Sequence, residues 1–155
     1  MKLLWIFDHD AIMAIPLLSG ALWALGGAGP KWIRRFILPA VLGLSAFTLG
    51  FPWWASGLSS ALLCVFTTLP YGQGMKNKLG WLYSPYLFII GALYAISPFA
   101  LLGLKAHWIL AGILPAISGA LFAFLTLGSQ KGFIPWKIVE MAVGLMIGFS
   151  FLFAF

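Results

Sequence analysis

Glu140 is the one acidic residue inside or beside an apolar run of this chain. It lies about one turn into a segment that opens Pro135-Trp136-Lys137. An ionisable group in an apolar helix is expensive to hold and is a functional candidate by default. Its partners by position are Lys137, three residues earlier on the same helix face, and the Arg34-Arg35 pair. Two chemistries follow. One is an ion pair that ties two helices together, and the other is a proton or cation site. The ion pair is the plainer reading, because those basic residues are the nearest compensation for a carboxylate that has lost its hydration.

Pro39 and Pro115 form the second candidate set. Each sits about eight residues into an apolar segment, and each is part of an Ile-Leu-Pro-Ala run. A proline inside a helix removes one backbone hydrogen bond and frees a carbonyl, which in lipid must find another partner. Interrupted helices at matching places often mark a solute path; a packing kink is the plainer alternative. Pro16 and Pro98 are weaker candidates of the same kind.

Other possibilities fall away on residue chemistry. Asp8-His9-Asp10 is a poor metal set, since adjacent residues rarely aim at one ion. His107 beside Trp108 suits a headgroup contact. Leu69-Pro70-Tyr71-Gly72-Gln73-Gly74 has turn chemistry and lacks the Lys-Ser/Thr ending of a phosphate loop. No nucleophile–base pair and no Cys/His metal set occurs, so neither an enzyme nor a cofactor is expected. Cys64 is single and cannot form an internal disulfide. The net charge of +6 does not point to nucleic acid, because the basic residues lie singly or in pairs rather than on a dense face.

The elements that position these residues are apolar helices. Phe36 to Met75 contains no charged side chain. A spanning helix needs about 20 apolar residues, so this stretch can cross a bilayer twice. Charged residues are 8% of the chain, against roughly 25% in a soluble domain. The expected fold is an all-α integral membrane protein, a polytopic bundle of about six short transmembrane helices in one domain covering residues 1–155. The segments run over about 11–25, 32–50, 53–69, 85–104, 107–127 and 135–155, with 1–10 a short tail. The tight Phe51-Pro52 connection predicts an antiparallel hairpin. Lys2 precedes only five apolar residues, too few for a cleavable signal. Alternating loops put Lys31, Arg34, Arg35, Lys76, Lys78, Lys131 and Lys137 on one side, and Lys2 and Lys105 on the other. Basic loops stay cytoplasmic, so both termini are expected outside a cell membrane.

The chain also matches itself. WIRRFILPAVLG (32–43) and WILAGILPAISG (108–119) share seven of twelve residues. Gly20-Ala21-Leu22-Trp23 resembles Gly91-Ala92-Leu93-Tyr94, and Pro52-Trp53 has its counterpart in Pro135-Trp136. Two three-helix units, about 11–72 and 84–155, would form an inverted repeat, because an odd helix number reverses the second copy. Gly144 and Gly148 make a G-x-x-x-G face for close helix packing, either inside the chain or with a second copy. The partners expected are the lipid bilayer and a small solute. Two functions compete: a small transporter or channel, and a non-transporting assembly, anchor or membrane-remodelling component.

Overall fold

The computed structural model describes residues 9–97 and 108–152, and side chains within 14–97 and 112–151. The regular elements among these residues are all helical, with no strand. Helix α1 is His9–Ala28, α2 Leu38–Thr48, α3 Trp53–Phe66, α4 Gln73–Leu79, α5 Tyr83–Ile96, α6 Trp108–Gln130 and α7 Trp136–Leu152. A wide π-helical turn, Ile33–Ile37, leads into α2, and a 3₁₀ turn, Gly80–Leu82, leads into α5.

Two elements differ from the sequence expectation. Helix α1 does not stop at Leu25 but continues through Gly26 and Gly27 to Ala28. Residues 73–84, expected as a loop, form α4 and the 3₁₀ turn. Taken as one helical rod, Gln73–Ile96 is long and apolar enough to cross a membrane, as is Gly112–Gln130; Ala14–Ala28 and Trp53–Phe66 are shorter apolar helices.

The turns follow from their residues. At the end of α2 the Phe51 amide donates to the Ala46 carbonyl and the Gly50 amide to the Phe47 carbonyl. Gly50 has φ 100°. This is the Schellman arrangement, in which glycine takes the left-handed conformation and closes the helix. Pro52 then begins the return into α3. The end of α6 repeats it: Phe133 donates to Gly128, Gly132 donates to Ser129, and Gly132 has φ 84°.

The tightest helix pairs meet through glycine. A methyl on Gly144 would lie 2.6 Å from the Gly20 Cα, so α7 runs directly against α1. A methyl on Gly91 would lie 2.8 Å from the Gly119 Cα, which sets α5 equally close to α6. Gly43 of α2 meets the Ser60 Cβ of α3 at 2.9 Å in the same sense. Small residues let backbones approach where side chains would hold them apart. Between these pairs lies an aromatic column of Trp23, Tyr94 and Phe122, all fully buried. Trp23 meets Tyr94 edge-on at 5.4 Å, and Tyr94 meets Phe122 at 5.6 Å.

Candidate functional site

Arg34 leaves the π-helical turn and reaches three elements at once. Its Nε donates to the Trp23 carbonyl of α1 at 3.1 Å, and its Nη1 donates to the Tyr71 hydroxyl at 3.2 Å. Its Nη2 forms an ion pair with the Glu140 carboxylate of α7. The guanidinium carbon also lies 4.8 Å from the centroid of the Trp23 ring, close enough for a cation–π contribution. The Arg34 and Glu140 side chains are 14% and 9% exposed. A desolvated charge pair of this kind depends on its full set of partners.

The sequence around the pair makes room for it. A methyl on Gly26 would strike the Arg34 Cγ, and one on Gly27 would strike both Arg34 Nη2 and the Glu140 carboxylate. Gly26 and Gly27, just past the expected segment end at Leu25, are instead the part of α1 that the ion pair lies against. The turn at 67–72 supplies Tyr71 and is itself clamped. Tyr83 donates to the Tyr71 carbonyl and Tyr86 to the Pro70 carbonyl, each at 2.5 Å. Gln130 in turn donates to the Tyr83 hydroxyl at 2.6 Å. The Tyr71 ring packs edge-on against Phe122 at 5.2 Å and lies 6.0 Å from Trp136. Burial pushes the Tyr71 hydroxyl up to about 12, with Arg34 acting in the opposite sense. At neutral pH the phenol keeps its proton, and its oxygen accepts from Arg34.

A cleft of about 280 Å³ opens over this group, lined by Lys31, Arg34, Arg35, the 67–72 turn, Trp136 and Glu140. It holds three positive side chains against one negative. Lys31 and Arg35 have no ion-pair partner among the described residues. A second cleft of about 370 Å³ lies on the other side of Trp136 and Glu140, against Ala24, Gly27, Ala28, Lys137 and Met141. The first cleft gathers donors suited to an anion: Arg34 uses only some of its five N–H groups, and Lys31 and Arg35 stand beside it.

The other sequence candidates fall into place around this site. Of the basic residues named for Glu140, Arg34 meets it, while Arg35 lines the first cleft and Lys137 the second. Pro39 is buried where α2 crosses α3, and its carbonyl accepts from the Ser60 hydroxyl at 2.7 Å. Pro115 lies half-buried inside α6. Neither proline lines these two clefts or a third of about 350 Å³ between α6 and α7. Gly144 and Gly148 are covered from within the chain, by Gly20 and by Pro16 and Ser19 of α1. That face is therefore not open to a second copy. The Asp8-His9-Asp10 reading, His107 and Pro98 lie outside the described residues or side chains. Trp23, Tyr71, Gly26 and Gly27 are the site residues that sequence reasoning missed. A double glycine placed before a basic pair was the available signal. No protein-family model, curated protein or solved structure significantly matches the chain.

Proposed function

We propose that the chain is an integral membrane protein of about six short spans, and that it is a small transporter or channel whose working end is the basic cleft. The observation that carries the reading is the convergence of Lys31, Arg34, Arg35, Tyr71 and Glu140 on one recess. Charged side chains gathered at the end of an apolar bundle need a reason beyond stability, since a buried pair adds little net stability over apolar packing. The membrane assignment is supported by the charge-free stretch from Phe36 to Met75. Large apolar side chains also face outward, among them Phe36, Val65 and Phe124 at 60%, 60% and 69% exposure. The positive-inside pattern supports a cytoplasmic position for the cleft, with both termini outside. The solute this end would receive is anionic, and the Arg34–Glu140 pair is the contact that an arriving anion would compete with.

The surroundings of Pro39 and Pro115 favour the helix-kink role over a solute path, because the Pro39 carbonyl is satisfied by Ser60. The inverted repeat has mixed support. Trp23 and Tyr94, which match across the two units, touch each other in the core. Yet Gly43 turns to the following helix and Gly119 to the preceding one.

The test is charge displacement by proteoliposomes adsorbed on a solid-supported membrane and exposed to jumps of small anions. Wild type is expected to give a saturable transient that Arg34→Gln abolishes. A wild-type protein that gives none with any anion refutes transport and leaves the non-transporting component. That second reading is favoured by the glycine-sealed contacts of α1 with α7 and α5 with α6.

A further inference from the structure

The two clefts beside Glu140 are neighbours of opposite character. Both are bounded by Trp136 and Glu140. The first carries Lys31, Arg34 and Arg35. The second is walled by Ala24, Ala28 and Met141, with Lys137 beside them. One molecule could fill both only if it had an anionic head and an apolar body. We infer that they form a single site for a membrane lipid with a phosphate-monoester headgroup. The head lies among Lys31, Arg35 and the Tyr71 hydroxyl, and the chain lies against α1 and α7 beyond Trp136. This inference rests on the reading of the basic cleft as the working end of a membrane protein.

Charge decides the headgroup. Lys31, Arg34 and Arg35 against Glu140 leave a surplus of two positive charges in the cleft. A phosphate monoester carries nearly two negative charges at neutral pH, whereas a carboxylate carries one and a zwitterionic head none. Geometry agrees. Arg34 is held in place by Trp23, Tyr71 and Glu140, so its remaining N–H groups are already oriented. Tyr71 accepts from Arg34, and a phenol hydroxyl can donate as well as accept. Basic recesses between membrane helices on the cytoplasmic side are the usual place for such heads. The apolar cleft adds what a free anion would not use: each methylene it buries raises affinity about fourfold.

The full chain, purified in a neutral detergent, is titrated with lipids while its thermal unfolding is followed. The probes are phosphatidic acid, phosphatidylcholine of the same chains, and inorganic phosphate. Phosphatidic acid is expected to stabilise saturably at one site. Phosphatidylcholine is expected to bind about twenty-fivefold more weakly, since each of two surface cations contributes about fivefold. Inorganic phosphate, with no chain, is expected to be weaker still. The Lys31→Ala, Arg35→Ala double variant should bring the two lipids within about twofold. Its lipid-free unfolding should be unchanged, because neither side chain holds the fold together. Ala28→Trp fills the apolar cleft and should weaken phosphatidic acid while leaving inorganic phosphate alone. Equal binding of the two lipids to wild type overturns the inference and marks ordinary lipid contact. Inorganic phosphate binding as tightly as phosphatidic acid overturns it in favour of a free-anion site. Phosphatidic acid binding without anion currents refutes transport alone, and currents without lipid selectivity refute this site alone.

Discussion

Gly27→Ala adds one methyl group to α1 at the point where that helix lies under the Arg34–Glu140 pair. Helix propensity alone favours alanine over glycine by about 1 kcal/mol. The added carbon, however, would occupy the space of both Arg34 Nη2 and the Glu140 carboxylate. Arg34 is held by Trp23 and Tyr71, so the pair does not move off α1 together; Glu140 swings away and the two charges separate. Losing one partner of a buried pair costs about 3–5 kcal/mol. The low end applies here, because Arg34 keeps its bonds to Trp23 and Tyr71 and the cleft lets water approach. The expected net effect is destabilisation by about 2 kcal/mol. Gly57→Ala is the control. It too is a helix-interior glycine, but a methyl there meets nothing within 4 Å, so it should stabilise by about 1 kcal/mol. Equilibrium unfolding in mixed micelles measures both. A double-mutant cycle sharpens the test. Glu140→Gln should cost about 3 kcal/mol in wild type but under about 1 kcal/mol beside Gly27→Ala, because the contact is already gone. Gly27→Ala stabilising like Gly57→Ala, or full additivity with Glu140→Gln, would refute the placement of the pair.

Two further outcomes follow from the packing and the titration. Gly144→Val should lower stability by about 3 kcal/mol, since overpacking at a backbone contact forces whole helices apart; the oligomeric state on a sizing column should not change, because the face is internal. Tyr71 ionises about two pH units later in the folded chain than at its ordinary value of 10. Its contribution is complete below pH 10 and is lost as pH rises toward about 12, because the unfolded chain then binds fewer protons than the folded one. Tyr71→Phe should make the fall of stability between those pH values shallower by up to one proton, measured by unfolding across that range.

The helices and several of their ends were legible because each has a local cause. Gly50-Phe51-Pro52 and Gly132 stop helices by backbone conformation, and the sequence marks both places with glycine and proline. Glu140 and Arg34 were legible as partners because so few charges are present to choose from. The rest depends on three-dimensional proximity. Trp23 gives a backbone carbonyl and a ring face to Arg34, and nothing in its local sequence announces that. Tyr71 sits in a stretch with plain turn chemistry, and its role comes from Tyr83, Tyr86 and Phe122 holding it in place. Gly26 and Gly27 carried an ambiguous message, since the same dipeptide that ends a helix also clears a space beside one. The G-x-x-x-G of α7 was recognised as a packing face, but its partner could be named only once α1 lay against it.

The π-helical turn at Ile33–Ile37 has a consequence for the matched segments. The Leu38 amide there bonds the Ile33 carbonyl, five residues back, just before a proline that cannot donate at all. An α-helix advances about 100° per residue, so one extra residue in a turn rotates everything downstream by that angle relative to what came before. Arg34 can therefore point to α1 and α7 while Pro39 and Gly43 point to α3. The matching stretch of α6 runs through Pro115 as continuous α-helix and has no such offset. The two matched segments thus run out of phase with each other, and the glycines that align in sequence, Gly43 and Gly119, come to rest against different neighbours. Deleting a single residue from the 33–37 turn would restore the phase and carry the guanidinium a quarter-turn away from the carboxylate.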